Sequence, residues 1–270
     1  VRNSSSPSRG EGSAAWMSDV PLMLGASCLG LTMPTAPRSP YTVQCLQPGF
    51  LHVIIEDDLE QFPFCYVLTG VTCLILIDTG SGTGNIFEEL EAIAPPESRQ
   101  KILIVCTHTH FDHCGCNHLA HSLGKDKAEW CVDICVSNRA QEFSLQARMP
   151  TAANLSLAPP NRPIKPYSIS RWLDHESEIT DLGPNRPPLR VFHTPGHTPD
   201  SICIYDPLFK HCFVGDTLYR WSPISLTSPG SNFEEFCTSI ELLLKIMPSD
   251  AILHCGHVDA QLEDAHVSLS

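Results

Sequence analysis

The run KILIVCT at residues 101–107 constrains the fold more strongly than any other part of the sequence. It is almost continuously apolar and ends in polar residues, which is typical of a strand buried on both faces. A strand of this kind needs a layer of structure above it and another below it, so it predicts a layered α/β protein. With 270 residues, the chain is long enough to build one large domain of this type around its own core.

Short apolar runs separated by turn residues predict further strands along the chain. These runs lie at residues 42–46, 50–55, 64–68, 73–78, 130–137, 189–194, 201–206, 211–216 and 251–257. Runs with helical spacing predict helices at 86–94, 138–148 and 232–247. Several strands, a helix and a buried strand follow in this order in both halves of the chain. We therefore expect an α/β fold in which two β-sheets pack together with helices outside.

The remaining segments divide the chain. Residues 1–13 are rich in Ser, Gly and Arg, and residues 34–40 (PTAPRSP) have the composition of a linker. We predict a disordered or loosely ordered leader and linker over 1–40 and a folded domain over 41–270. The Pro-rich segment 149–190 is predicted to be irregular, and the sequence leaves open whether it is disordered or drapes over a substrate cleft.

Charge and cysteine content limit the classes of partner and compartment. The net charge is −13, and the Lys and Arg residues form no cluster, which argues against a nucleic-acid partner. Several of the 13 cysteines lie inside apolar runs, where a thiol behaves as a small hydrophobe. We therefore predict a reduced, cytoplasmic protein. No apolar stretch reaches membrane-spanning length, so stable membrane insertion is not expected.

Directly after residues 101–107, four good metal ligands fall within six residues. They are His108, His110, Asp112 and His113. Imidazole and carboxylate are the ligands that zinc prefers outside thiolate sites. A helix is a poor host for ligands two positions apart, because their side chains point to different faces. We predict a loop in which His108 and His110 bind one ion while Asp112 and His113 bind another.

Three more candidate ligands occupy equivalent places in the sequence. His197, Asp216 and His257 each lie in a glycine-containing loop that follows a predicted strand. In layered α/β folds, sites gather at the carboxyl ends of strands. The repetition of one pattern in four loops predicts that the seven residues converge on a single metal site.

The segments LIDTG, THTHFDHCG, TPGHTPDS, VGDTL and CGH, in this order, resemble the metallo-β-lactamase superfamily. The resemblance runs from about Tyr41 to the end and implies a four-layer αβ/βα sandwich with two mixed β-sheets. It implies that His108, His110 and His197 bind one ion, that Asp112, His113 and His257 bind a second, and that Asp216 bridges them. A carboxylate at Asp216 resembles the glyoxalase II-type branch, and TPGHTPDS resembles a thioesterase subgroup related to metallo-β-lactamase domain-containing protein 2.

This resemblance implies a hydrolase with two zinc ions, for which iron or manganese are the alternatives. A hydroxide held between the ions would attack a small acyl thioester or ester, and Asp112 would orient that nucleophile or accept its proton. A lactonase, a β-lactam-type amidase, a phosphodiesterase, an iron-dependent redox enzyme and a metal-stabilised binding module are the alternatives. The sequence does not indicate an oligomeric state.

Two departures from the family pattern stand out. The family commonly has Gly-Gly soon after the last His of the motif, where this chain has Cys114-Gly115-Cys116. The chain also ends 13 residues after His257, at Ser270, so we expect part of the family's C-terminal region to be missing.

Several further residues are candidates for supporting roles. Asp78 is predicted to accept hydrogen bonds from backbone amides or from a metal-bound His. Ordinary packing is the favoured role for Cys114, Cys116 and Cys255, with metal binding or a redox-sensitive cluster as the alternatives. The segment Tyr219, Arg220 and Trp221 is either part of the substrate cleft or a surface loop. The histidines outside the seven are expected to have no role in metal binding.

Overall fold

The computed structural model describes residues 39–58, 61–120, 123, 130–147, 164–220, 222–257 and 267–268. Its first sheet has seven strands that are neighbours in sequence order. They are β1 (Tyr41–Gln47), β2 (Leu51–Glu56), β3 (Phe64–Thr69), β4 (Cys73–Ile77), β5 (Lys101–Val105), β6 (Cys131–Ser137) and β7 (Arg171–Leu173). Strands β1 to β4 pair antiparallel, and β4 to β7 pair parallel.

A second sheet contains six strands from the C-terminal half of the chain. They are β8 (Glu178–Ile179), β9 (Leu189–His193), β10 (Ile202–Asp206), β11 (His211–Gly215), β12 (Ile252–Cys255) and β13 (Val267–Ser268). They lie in the order β13-β12-β11-β10-β9-β8. Strands β11 and β12 are parallel and the other pairs are antiparallel, so both sheets are mixed, as predicted.

Two of the helices begin at an Asn whose side chain accepts from free backbone amides. In α1 (Ile86–Ile93), the amide of Phe87 donates to the side chain of Asn85. Two short helices follow, α2 (Phe111–Cys114) and α3 (Gln141–Ala147). Helix α4 (Phe233–Ile246) is capped by Asn232, whose side chain accepts from the amides of Glu234 and Glu235. Two 3₁₀ turns occupy Pro96–Arg99 and Asn117–Leu119.

Strand β5 is buried on both faces, which confirms the prediction from its apolar sequence. Leu103 and Val105 belong to a core cluster that also contains β9, β10 and β11 residues, so this face packs against the second sheet. Ile102 and Ile104 point the other way and share a cluster with Ile86 and other α1 residues. This alternation fixes the layer order as helix, first sheet and second sheet.

The structure differs from the sequence predictions in the Pro-rich segment and at the C-terminal end. Residues 164–190 were predicted to be irregular, but they contain β7 and β8 and the start of β9. These strands were missed because three- and two-residue strands form only through pairing with β6 and β9. Residues 149–163 lie outside the described part of the chain. The predicted last strand is also followed by a further one, β13, which pairs with β12.

Residues 1–38 of the predicted leader and linker (1–40) lie outside the described residues, and the division of the chain after residue 40 stays a prediction. Strand β1 does begin at Tyr41. Among the helices that the structure describes, none is both long enough and apolar enough to cross a bilayer.

Candidate metal centre

The predicted ligands lie in loops that leave the carboxyl ends of four strands. The segment after β5 carries four of them, and the loops after β9, β11 and β12 carry one each. The two sheets bring these strand ends together, and every ligand side chain is buried. The seven are His108, His110, Asp112, His113, His197, Asp216 and His257.

The β5 loop contains a helical turn that the sequence analysis did not predict. Asp112 and His113 lie within α2, whose first turn is closed by a hydrogen bond from the His113 amide to the His110 carbonyl. The expectation that a loop would carry all four ligands was therefore wrong. The argument about spacing holds only for His108 and His110, which precede the turn. Consecutive helical residues point in different directions, which lets Asp112 and His113 approach the centre from two sides.

One group of donor atoms comes from His108, His110 and His197. The ring nitrogens of these residues lie within 4.8 Å of one another. Nε2 of His197 is 3.1 Å from Nδ1 of His110. The other nitrogen of His197, Nδ1, donates to the carbonyl of Ser225 at 2.8 Å, which keeps Nε2 free of a proton and directed at the centre.

A second group comes from Asp112, His113 and His257. Nε2 of His257 lies 3.1 Å from Nε2 of His113 and 3.5 Å from Oδ2 of Asp112. Nδ1 of His257 donates to the carbonyl of Gln61 at 2.7 Å. That hydrogen bond fixes the orientation of the His257 ring, as Ser225 does for His197.

Asp216 lies between the two groups. Its Oδ2 is 3.9 Å from Nε2 of His108 and 3.5 Å from Nε2 of His197, which belong to the first group. Its carboxylate oxygens are also 3.3 Å from Nε2 of His113 and 3.4 Å from Nε2 of His257, in the second group. A carboxylate in this position can reach both groups at once.

The donor set and its environment fit a pair of metal ions. Nε2 of His108 and Oδ1 of Asp216 are buried without a hydrogen-bond partner, which is costly unless a cation satisfies them. Five imidazoles and two carboxylates converge without a thiolate, a donor set that suits zinc, iron and manganese.

Burial and charge act differently on the two groups. Burial lowers the pKa of His108 well below its usual value and that of His110 to about 4, so both rings are neutral, as metal binding requires. Burial also opposes charge on His113 and His257, but the nearby carboxylates together outweigh it and raise the pKa of both, Asp216 most strongly, with Asp112 and, at His113, Asp78. Burial alone would raise the pKa of Asp216, whereas His257 and His113 hold it well below its usual range.

Asp78 supports the centre as the sequence analysis predicted. Its Oδ2 accepts from Nδ1 of His113 at 2.7 Å, and its Oδ1 accepts from the amide of Thr107 at 2.7 Å. The hydroxyl of Thr107 also donates to Oδ2 at 2.7 Å. Asp78 has a φ of 61°, a left-handed conformation that Asp and Asn adopt more readily than most residues.

The cysteines near the centre pack rather than join a candidate metal group. Cys114 donates to the carbonyl of His110 at 3.0 Å, Cys116 to that of Gly84 at 3.4 Å and Cys255 to that of His257 at 3.4 Å. None of them belongs to a metal-sized cluster among the described residues. Gly115 is needed between the first two, since a Cβ there would lie 2.3 Å from the backbone carbonyl carbon of Ser81.

Of residues 219–221, Tyr219 lies near the candidate metal centre. The ring centroid of Tyr219 is 6.0 Å from that of His257. Burial raises the pKa of Tyr219 well above its usual value, as do the charge of Asp216 and a hydrogen bond to it. Arg220 is exposed, and Trp221 lies outside the described residues.

Several residues that contribute to the site were not predicted from the sequence. Gln61 and Ser225 act through backbone carbonyls, which leave no trace in residue type. Gly256 belongs to the CGH segment, but the requirement for glycine there depends on the tertiary structure. A Cβ at this position would lie 2.3 Å from Oδ1 of Asp216.

This fold and this cluster of histidines and carboxylates define a hydrolase of the metal-dependent kind. A family model described as the Metallo-beta-lactamase superfamily matches residues 60–257, and the chain belongs to that superfamily. The four-layer αβ/βα sandwich expected from the resemblance is therefore confirmed. The superfamily fold implies a two-metal site, for which the seven residues are the candidate ligands.

Relatives and solved structures agree with this assignment. The Acyl-coenzyme A thioesterase MBLAC2 of Gallus gallus is 30% identical over 64% of this chain, and the chain spans 63% of that protein's length. The probable metallo-hydrolase YqgX of Bacillus subtilis is 22% identical over 71% of this chain and 82% of its own.

Two solved structures share the fold. The B3 metallo-beta-lactamase BLEG-1 matches with a TM-score of 0.59 and 22% identity, over 78% of this chain and 90% of that one. TTHA1623 in a di-iron-bound form matches with a TM-score of 0.55 and 23% identity, over 78% and 91%.

Proposed function

We propose that this chain hydrolyses a small acyl thioester or a related acyl ester at a pair of metal ions. The observation that carries the proposal is the position of Asp216, within 3.3–3.9 Å of imidazole nitrogens from both ligand groups. Support for the thioester class comes from the MBLAC2 relatives, which are named acyl-coenzyme A thioesterases and are 30% identical in chicken and 26% in human.

In this proposal His108, His110 and His197 would hold the first ion, and Asp112, His113 and His257 would hold the second. Asp216, which lies near imidazoles of both groups, would supply a carboxylate to both. Such a pair, when bound, supplies a hydroxide near neutral pH and polarises the acyl carbonyl. Zinc is the expected metal because the donors are imidazole and carboxylate. Iron is the main alternative, and a structural relative described as di-iron-bound keeps it open.

Residues of the chain itself have two tasks. Asp112, which is buried beside His257, would accept a proton as the nucleophile attacks. Asp78 and the Gln61 carbonyl fix the tautomers of His113 and His257. A thiolate leaving group needs little help from an acid, which suits a centre whose nearby groups are mostly bases.

The net charge and the cysteines support proposals for the charge of the substrate and for the cellular compartment. A dinuclear cation site inside a chain of net charge −13 favours a small, mildly anionic substrate and disfavours nucleic acid. The described cysteines are all free thiols, in keeping with a reduced, cytoplasmic setting.

Elemental analysis combined with a hydrolysis screen tests the proposal. Purified protein is loaded with zinc or with iron. Each form is assayed on an acyl-CoA thioester, a lactone, a β-lactam and a phosphodiester. We expect about two ions per chain and the fastest turnover on the thioester. Fastest turnover on another substrate would replace the thioester with that class. Two bound ions without turnover on any of them would indicate a metal-stabilised binding module.

Variants assign the ligands. His110→Ala should lose metal and turnover, and Asp112→Asn should lose turnover. The matched control is His175→Ala, since His175 is exposed and lies outside both ligand groups. A His110→Ala protein with full metal content and an unchanged rate would show that the ligand assignment is wrong.

A further inference from the structure

A buried carboxylate close to the candidate centre has no part in the proposed reaction. Asp200 is 1% exposed, and no Lys or Arg of the described residues forms an ion pair with it. Its Oδ1 is buried without a hydrogen-bond partner. Burying a carboxylate without a cation is unfavourable, and the hydrogen bonds that Asp200 accepts offset part of that cost.

Both hydrogen bonds from other segments reach the same oxygen of Asp200. Thr109 donates to Oδ2 through its hydroxyl at 2.7 Å, and Ser144 donates through its hydroxyl at 3.0 Å. Ser144 belongs to α3, so the carboxylate ties the β5 loop to a helix. The pKa of Asp200 is raised by burial, although the hydroxyl hydrogen bonds oppose that effect.

Thr109 is the residue between two candidate ligands. The imidazoles of His108 and His110 reach the candidate centre, whereas the fully buried Thr109 side chain between them reaches Asp200. The hydrogen bond from Thr109 to Asp200 therefore anchors the segment that presents two imidazoles.

Asp200 itself belongs to the turn that presents the third imidazole of this group, His197. Within the turn, the Thr198 amide donates to the Ser201 hydroxyl at 3.2 Å, and the two hydroxyls are 2.7 Å apart. The turn is also joined to the β5 loop by the Ile202 amide, which donates to the Thr107 carbonyl at 2.8 Å. Asp200 thus links, through its side chain, the two loops that supply His108, His110 and His197.

We propose that Asp200 is a positioning residue that sets the distance between these two loops, and thereby the affinity of the His108–His110–His197 group for its ion. The inference rests on the proposed metal centre. Asp200→Asn should weaken binding of one of the two ions by about 10- to 100-fold, the range found for residues that orient metal ligands. The second ion, held by Asp112, His113 and His257, should bind nearly as before.

The substitution isolates the carboxylate. An Asn of the same size has an amide oxygen without the charge that strengthens the hydrogen bonds from Thr109 and Ser144, so it weakens the link between the two loops. Its NH₂ group would also take the place of the unpaired Oδ1 and lack an acceptor. Thr109→Val removes the hydroxyl and keeps the side-chain shape, so it should weaken the same ion. Thr109→Ser keeps the hydroxyl and should bind metal much as the unsubstituted protein does.

The test is a zinc titration of the metal-free full chain against a competing chelator, which yields the two stepwise affinities. Cobalt(II) spectra of the same variants report the coordination of each ion independently of turnover. Glu56→Gln is the matched control, since Glu56 is also a fully buried carboxylate that accepts from a hydroxyl, that of Thr83, but it lies outside both ligand groups. In the Thr109→Val background, Asp200→Asn should produce little further loss.

His197→Ala, measured alongside these variants, distinguishes failure of the positioning role from failure of the proposed metal centre. If His197→Ala loses an ion and Asp200→Asn binds both ions normally, the positioning role is wrong and the metal centre stands. If His197→Ala also binds both ions normally, the proposed centre itself is wrong. An equal loss of both ions in Asp200→Asn would likewise overturn the positioning role, because it indicates general destabilisation. Should Asp200→Asn fail to fold, normal affinities in Thr109→Val would overturn it.

Discussion

Oδ2 of Asp78 lies 2.7 Å from Nδ1 of His113, and Nε2 on the far side of the same ring faces Asp216 at 3.3 Å. Because the carboxylate of Asp78 can only accept, Nδ1 of His113 carries the proton. Nε2 is then left to bind a metal ion. One hydrogen bond behind the ligand decides which face of the ring is available to the metal centre.

Asp78→Asn should therefore weaken the ion held by the Asp112–His113–His257 group by about 10- to 100-fold. Asp78 accepts from three donors through two oxygens, and Asn has only one oxygen, so one donor would face an NH₂ group. The left-handed backbone at this position suits Asn, so strain should not confuse the result. Stepwise metal titration measures the effect, with exposed Glu97→Gln as control. Unchanged affinities for both ions would contradict the prediction.

Gly256→Ala should lower metal occupancy and turnover together. An added Cβ would lie 2.3 Å from Oδ1 of Asp216 and 2.8 Å from Cε1 of His113, so both side chains must move. Metal content per chain after dialysis measures this. Gly49→Ala is the control, since nothing lies within 4 Å of its Cβ position and its φ of 71° strains only the backbone. We expect that control to lose stability and keep its metal, and a fully loaded, active Gly256→Ala protein would refute the steric argument.

Gly115→Ala should destabilise the fold itself. Its Cβ would lie 2.3 Å from the carbonyl carbon of Ser81 and 2.6 Å from the carbonyl oxygen of Gly80, and backbone cannot yield as a flexible side chain can. Overpacking of this kind typically costs about 1–3 kcal/mol. Urea unfolding of the metal-free protein gives the free energy of unfolding. A midpoint equal to that of the unsubstituted protein would count against the close approach of these two loops.

Removal of metal by a chelator should lower the temperature of unfolding. An ion that binds only the folded chain adds about 2.7 kcal/mol when its concentration is 100 times its dissociation constant. The buried, unpaired Nε2 of His108 and Oδ1 of Asp216 add to the effect, because they lose their proposed partner. Thermal unfolding with and without chelator measures the shift, and Asp216→Ala should respond much less. An unfolding temperature that ignores both chelator and added zinc would argue against a resident metal.

The elements predicted from the sequence are those whose signal is local. Strand β5 could be predicted because its buried residues are apolar without interruption, and α4 because its apolar residues recur at helical spacing. Strands β7 and β8 carry no such pattern, since each owes its conformation to a neighbouring strand. The short helix α2 was missed because four residues are too few to show a periodicity.

The candidate ligands could likewise be predicted from residue type and from their places after strands. Partners that act through the backbone, such as the Gln61 carbonyl, could not, because any residue type supplies a carbonyl. Asp200 was present in the TPGHTPDS segment, but its contact with Thr109 joins residues 91 positions apart and has no signature in either segment.

The amino-acid sequence by itself determined the donor chemistry, the buried strands and the family, because these depend on side-chain type and on order along the chain. Only the tertiary structure decided that His113 and His257, which are 144 positions apart, meet at 3.1 Å, and that Asp216 lies between both groups. The physical reason is that such distances are set by strand pairing and by packing of one sheet on the other. These are properties of the whole core, and no short segment carries them.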